Sequence, residues 1–331
     1  MVNKLKKYGK LRPFMFKNEQ KTFKIGNVIF GGLPGERPVV LVGSIFFLGE
    51  KMVVNHKEGI FDKEKAKEKI EFAKKVAEEY NLQFAIDLVA YTSKAAEKYL
   101  EFISEVTEAP IFLDGIEESV RVRMYQVSHE LGLTSRVIGN AIYVHSSDEE
   151  LESLKENKIE AAVLMAFDMA NPVRSLTPED KLKILSRELL PKVRKIGLAK
   201  PLVDVVVLDP ASIAVSGPAV FKIKSETGLP TGCAPANALG NISKKSFGVE
   251  EAIGIHAGSA TYLQLFAVDF IFYGPLRRIK DVAPAVSMVD SYLGYLARLE
   301  GRKIPKKHPF YSILKKVQKA FTGISIWQPL A

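Results

Sequence analysis

The sequence predicts an α/β protein, a TIM (β/α)8 barrel with an N-terminal β-hairpin cover. Three observations carry that expectation. Apolar runs and amphipathic helical stretches alternate eight times along the chain. The apolar runs are continuous and not alternating, as in parallel strands buried on both faces. Six polar residues, Asp87, Asp114, Asn140, Asp168, Asp209 and Asn237, close six of the runs at nearly even spacing. In a parallel barrel all strand ends reach one face, where the βα loops build the active site. A doubly wound open sheet is the competing arrangement. It binds at a single switch point and makes poor use of six polar strand ends.

The elements follow in order. TFKI-GN-VIFGG reads as a hairpin turning at Gly26-Asn27, and GGLPGERP then breaks the pattern. Together they are expected to cover one end of the barrel. Strand one is expected over 39–47. Its helix is capped by Asp62 and carries Ile70, Phe72, Ala73 and Val76 as its apolar stripe. Strand two spans 84–89, with a helix from Ser93 to about Val106. Strand three spans 110–115, with helix 116–131 ending at Gly132. Strand four spans 136–144, with a short helix from Asp148. Strand five spans 161–168, and the helix after it opens at Thr177-Pro178. Strand six spans 201–209, with helix 211–227. Strand seven spans 230–237, with helix 248–265 after a loop rich in Gly, Asn, Ser and Lys. Strand eight spans 270–276, with a last helix across 285–300. The organisation expected is a basic tail over 1–21, the barrel over 22–300 and a basic segment over 301–331.

Composition narrows the class. Of 331 residues 47% are hydrophobic, enough for a full core. No apolar stretch is long enough to span a bilayer, and the basic N-terminus lacks the apolar middle of a signal peptide. A cytoplasmic protein is expected. A single cysteine, Cys233, excludes an internal disulfide and a cysteine metal cage. The net charge of +9 is concentrated at the ends: residues 1–25 carry eight Lys/Arg and one Glu, and 301–331 carry seven Lys/Arg and no acid. Such tails suit an acidic partner, nucleic acid or an anionic membrane surface, or simply the Lys/Glu richness of thermophile-like surfaces. No nucleic-acid-binding motif accompanies them.

Each polar strand end has a structural alternative, because Asp and Asn also cap the next helix. That alternative is strongest for Asp209, which precedes Pro210-Ala211-Ser212. Acids and a pair of amides around one pocket suit a donor-rich heteroaromatic ligand. Arg277 and Arg278, after strand eight, are candidates to grip an anionic tail. Cys233 reads as a small buried hydrophobe, and His256 as a residue satisfied by a local hydrogen bond. Lys222 and Lys224 read as exposed. Five scattered histidines without HExxH spacing do not support zinc. Walker and GxGxxG loops are absent.

The segments GGLPGE (31–36), LVGSIFF (41–47), GIFDKE (59–64), EVTEAPIFLD (105–114), KIEAAVLMAF (158–167), PLVD (201–204) and KSETGLPTGCAPAN (224–237) carry a resemblance. In this order they are similar to the pterin-binding, corrinoid-dependent subunit of tetrahydromethanopterin S-methyltransferase, over about residues 20 to 280. The resemblance implies a pterin-binding barrel related to dihydropteroate synthases. It further implies transfer of the N5-methyl group of methyl-tetrahydromethanopterin, or a related tetrahydropterin or folate, to the Co(I) of a corrinoid. No Asp-x-His-x-x-Gly motif is present, so the corrinoid would be supplied by a partner protein. A homodimer is also implied. In that reading Asn140 or Asn237 hydrogen-bonds near N5, Asp168 supplies a proton, and Asp87 and Asp114 accept from the amino group and ring N–H of the pterin. Two alternatives remain: a dihydropteroate synthase-like enzyme, and a non-catalytic barrel that scaffolds a complex.

Overall fold

A computed structural model describes residues 14–240, 242 and 246–321. The first part of the basic N-terminal tail, part of the loop after the seventh barrel strand and the last ten residues lie outside that range.

Eight parallel strands close a barrel in sequence order. They are β3 (Val40–Ile45), β6 (Gln83–Ala90), β7 (Ile111–Gly115), β8 (Val137–Ile142), β9 (Ala161–Met165), β10 (Lys200–Asp204), β11 (Thr231–Cys233) and β12 (Phe270–Pro275), which pairs back to β3. The barrel is flanked by two antiparallel hairpins, β1 (Thr22–Ile25) with β2 (Val28–Gly31), and β4 (Val53–Asn55) with β5 (Ile60–Phe61). The sequence expectation missed the second hairpin, which is too short to show a pattern.

The helices between the strands are α1 (Lys63–Glu79), α2 (Ser93–Val106), α3 (Glu118–Glu130), α4 (Asp148–Glu156), α5 (Pro178–Ile184), α6 (Leu190–Lys195), α7 (Pro210–Thr227), α8 (Val249–Gln264) and α9 (Ile279–Leu299), with α10 (Lys315–Ala320) beyond. Their starts follow from side-chain caps. Asp62, Thr92, Ser147 and Thr177 each accept a backbone N–H of the first turn. Gly228 ends α7 in the left-handed conformation at φ 69°. Helix α9 begins six residues before the expected 285. Pro284 lies within its first two turns and removes one N–H donor close to the helix start. Phe72, expected in the stripe of α1, is 41% exposed, and the buried face is Ala66, Ile70, Ala73, Val76 and Ala77.

Two cores result. The outer one lies between strands and helices. The inner one fills the barrel with Val42, Ala85, Phe112, Ile138, Val163, Leu202, Phe270 and Phe272. The β1–β2 hairpin plugs its base with Ile25, Val28 and Phe30, and Phe30 stacks edge-on against Phe112 and Phe270. Side chains two residues apart on a strand share a face. Stepping two residues from each inner-core position therefore gives the next layer towards the mouth: Ser44, Asp87, Asp114, Asn140, Met165, Asp204 and Gly274.

Residues expected in tails are partly tied down. Asn18 hydrogen-bonds the carbonyls of Ser225 and Glu226, and Lys17 pairs with Glu226 at 2.6 Å. Lys224 is not the exposed residue the sequence suggested. Its ammonium is buried and meets both oxygens of Asp269 at 2.5 and 2.6 Å.

Candidate functional site

The mouth-side layer surrounds a cavity of about 170 Å³, lined by Ser44, Asp87, Asp114, Asn140, Met165, Asp204, Asn237 and Phe272 with Ala141, Ala234, Ala236 and Gly274. The strand register explains the convergence. Ser44 pairs with Asp87, Asp114 with Asn140, and Met165 with Asp204 across neighbouring strands. Each pair therefore projects side by side into the same layer. A larger cavity beside α9 has no acid among the described residues that line it, so the smaller one is the candidate site.

The polar contacts divide the labour. Asp87 Oδ2 accepts from the Ser44 hydroxyl at 2.7 Å, and Oδ1 accepts from Asn140 Nδ2 at 3.4 Å. These bonds fix the Asn140 amide with its carbonyl oxygen turned elsewhere. Asp204 Oδ1 accepts from the Val206 N–H at 2.6 Å. Val206 is held at φ 58°, a strained setting for a β-branched residue, so the loop after β10 bends sharply around this carboxylate. The Asp114 carboxyl accepts no hydrogen bond among the described residues and is available to a ligand. Phe272, Met165 and Ala234 add apolar wall. Gly274, at φ 90°, lets β12 pass the loop after β11; a Cβ there would lie 3.1 Å from that of Ala236.

Electrostatics make these acids unusual. Burial pushes Asp87 up to about 6, resisted by the Ser44 and Asn140 hydrogen bonds and reinforced by the charge of Asp204. Burial and the nearby Asp87 drive Asp114 well above the carboxylate range, against the pull of Arg121. Burial also lifts Asp204 to about 6, despite its Val206 hydrogen bond and the charge of Lys181. Lys181 itself is buried, with its ammonium 5.0 Å from the centre of the Phe167 ring. Its pKa falls to about 8 through burial.

Of the six polar residues singled out from sequence, Asp87, Asp114, Asn140 and Asn237 meet in this cavity. Asn237 does so from a helical turn, Ala236–Leu239, because β11 ends at Cys233 and not at 237. Asp168 and Asp209 lie elsewhere. Strand β9 ends at Met165, so Asp168 falls in the following loop. There it accepts the N–H groups of Ala170 and Asn171 at 3.0 Å, Arg174 at 2.7 Å and His145 Nε2 at 3.2 Å. Burial raises its pKa, but these four contacts together bring it below the ordinary value. It is a loop clamp. Asp209 caps α7, accepting the Ser212 N–H at 2.7 Å. Asp204, missed from sequence, holds the place assigned to Asp209, and Ser44 was missed as well. Counting in twos from Leu202 finds Asp204, a signal hidden because both faces of the strand are apolar.

The remaining candidates are structural in their contacts. The Arg278 guanidinium hydrogen-bonds the His256 ring and the carbonyl of Gly240 at 2.9 Å. Burial first, and Arg278 second, lower His256 to about 4. Arg277 is exposed. Neither arginine lines the cavity. Cys233 is buried and its thiol is pushed up by burial. Lys222 pairs with Glu179 at 3.3 Å. Among the described residues no three His, Cys, Asp or Glu side chains form a metal-binding group, and no helix is long and apolar enough to cross a membrane.

Comparison with known proteins completes the site. Solved structures with the same fold include the Yersinia pestis dihydropteroate synthase in a sulfonamide drug complex, with TM-score 0.58 at 10% identity over 82% of this chain and 98% of that one. The 7,8-dihydropteroate synthase of Vibrio fischeri gives 0.57 at 14% identity, over 82% and 98%. At the sequence level, the MtrH polypeptide of tetrahydromethanopterin S-methyltransferase from Methanothermobacter thermautotrophicus is 31% identical over 91% of this chain and all of its own length. That of Methanopyrus kandleri is 32% identical over 83% and 91%. Residues 18–304 match the family described as the tetrahydromethanopterin S-methyltransferase MtrH subunit, and the chain belongs to that family.

Proposed function

We propose that this chain removes the methyl group from N5 of methyl-tetrahydromethanopterin, or a closely related tetrahydropterin, and passes it to the cobalt of a corrinoid carried by a separate protein. The observation that carries the reading is the layer of Asp87, Asp114, Asn140 and Asp204, with Asn237 above it, facing an apolar wall. A pterin offers an amino group and ring N–H groups along one edge and a flat face. Asp114 and Asp204 accept from the edge. Asp87, already engaged by Ser44 and Asn140, orients the Asn140 amide and does not itself need to touch the ligand. Phe272 and Met165 take the face.

When the C–N5 bond breaks, its electron pair stays on N5 and the methyl group joins an electron pair supplied by the acceptor. N5 then takes up a proton, which solvent supplies through the open mouth, and needs a hydrogen-bond donor until it arrives. Asn237 is the side chain of the set on the exposed side, where the methyl group must face its acceptor. A donor that strengthens as N5 gains charge lowers the barrier selectively, and a fixed ring aligns the methyl group for in-line transfer. Asp168, expected to give the proton, lies outside this cavity with its carboxylate held by its own loop, and it is given no role in this scheme.

A second protein must reach this opening. The loops around the mouth expose apolar side chains: Leu48, Ile116, Met169, Val173, Leu208 and Phe247. Exposed apolar groups rimming a polar pocket favour protein docking. Among the described residues no lysine or arginine lines the cavity, so none of them offers a cation to a diphosphate leaving group there. The test mixes the protein with chemically reduced cob(I)alamin and methyl-tetrahydromethanopterin, with methyl-tetrahydrofolate in parallel. Loss of Co(I) absorbance with growth of methyl-Co(III) is expected. Asp114→Ala and Asn140→Ala should lose pterin affinity by calorimetry while keeping the native circular dichroism. Normal affinity in both variants would overturn the assignment.

A further inference from the structure

Helix α9 is apolar on two faces. The inner face, with Val282, Ala283, Val286 and Ala297, is buried against the barrel. The outer face carries Met288, Tyr292, Tyr295 and Leu299 at helical spacing. The chain turns back over this outer face beyond α9. Phe310 is buried there, ring to ring with Tyr295, and Asn81 holds Ser312 at 2.6 Å. The cover is incomplete. Between α9 and α10 lies a groove of about 630 Å³, with Tyr292 54%, Val317 52% and Phe321 57% exposed.

Among the described residues the one charged side chain that lines the groove is a lysine, Lys315. Lys316 and Lys319 are exposed on the same helix. Residues 301–331 contain seven Lys/Arg and no Asp or Glu. We propose that this groove receives a short amphipathic helix of a partner protein, apolar on one side and flanked by carboxylates. Its volume suits one helix face. The basic rim supplies the orienting charge. Two-fold seating of a second copy would set the two lysine rims against each other. A concave slot also does not present apolar groups to a lipid surface as a convex helix does. The inference does not depend on the methyl-transfer reading.

The test uses the full chain and a fluorescein-labelled 18-residue helical peptide with a Leu/Phe stripe flanked by Glu, alongside a twin flanked by Lys. Saturable binding of the Glu peptide is expected. Tyr292→Glu, Val317→Glu, or joint Lys316→Glu and Lys319→Glu should each weaken it by about tenfold or more, with methyl transfer to free cob(I)alamin unchanged. The Lys peptide should bind about tenfold more weakly. Absence of Glu-peptide binding, equal binding of the twins, or binding that survives Val317→Glu overturns the proposal. So does capture by phosphatidylglycerol vesicles, or a dimer in sedimentation, that Val317→Glu abolishes. A red shift of Trp327, the single tryptophan, in Val317→Glu without peptide would place the chain's own end in the groove and overturn it too.

Discussion

Burial lifts the Asp204 carboxyl to about 6, so the folded chain holds that proton more tightly than the unfolded one. The sign follows from linkage. The stabilising proton is fully present below the unfolded value, and its benefit is lost as pH rises through about 6. Asp204→Asn removes this penalty and keeps an acceptor for the Val206 N–H. We expect it to raise urea resistance at pH 7.5 by about 1–3 kcal/mol and to add little at pH 3.5, while pterin affinity falls. An equal gain at both pH values would show that the carboxyl is not the cause. Asp209 should behave in the opposite sense. Its cap on α7 is worth about 1 kcal/mol, so Asp209→Ala should lower the urea midpoint and leave pterin affinity unchanged.

The loop after β9 shows how one side chain organises an element. Asp168 gathers the backbone of Ala170 and Asn171 and the Arg174 guanidinium, and so sets out Met169 and Val173 on the rim. Asp168→Ala should speed limited proteolysis within 168–175 and weaken docking of a corrinoid protein, with pterin affinity retained. A loss of pterin affinity equal to that of Asp114→Ala would return Asp168 to the binding site. The same element marks how much was legible in the sequence. All eight barrel strands and their helices could be placed from apolar runs, caps and breakers. Strand ends could not, because VVVL after Asp204 and AF before Asp168 are as apolar as the strands they follow. That ambiguity misplaced two of six polar residues and hid Asp204. Ser44 and Lys181 were illegible for another reason: their roles come from strand register and helix packing far away in sequence.

Across the whole molecule, the N-terminal cover and the barrel are joined by the buried Lys224–Asp269 pair. Asp269 also accepts the Thr231 N–H at 2.8 Å, and the Lys224 ammonium reaches the Gly32 carbonyl at 3.3 Å. One contact set therefore links the cover, α7, β11 and the segment entering β12. Lys224→Met would leave the Asp269 carboxylate buried without its cation, a loss of about 3–5 kcal/mol. The unfolding free energy from urea titration should fall by that amount. Restoration of stability in the double variant Lys224→Met with Asp269→Leu would show that the uncompensated charge is responsible.

The three pocket carboxyls bear on uptake as well as on shape. Burial disfavours ionising all three, with the charge of Asp204 adding to this at Asp87 and that of Asp87 at Asp114, so the cavity keeps a store of protons that ordinary carboxyls would have shed. A ligand that brings N–H groups to Asp114 and Asp204 rewards the ionised form and must expel part of that store. Ligand capture then becomes a proton-releasing event, weaker in acid and stronger in base. Calorimetry in two buffers of different ionisation heat would count the protons set free, and equal heats in both would mean that none leave.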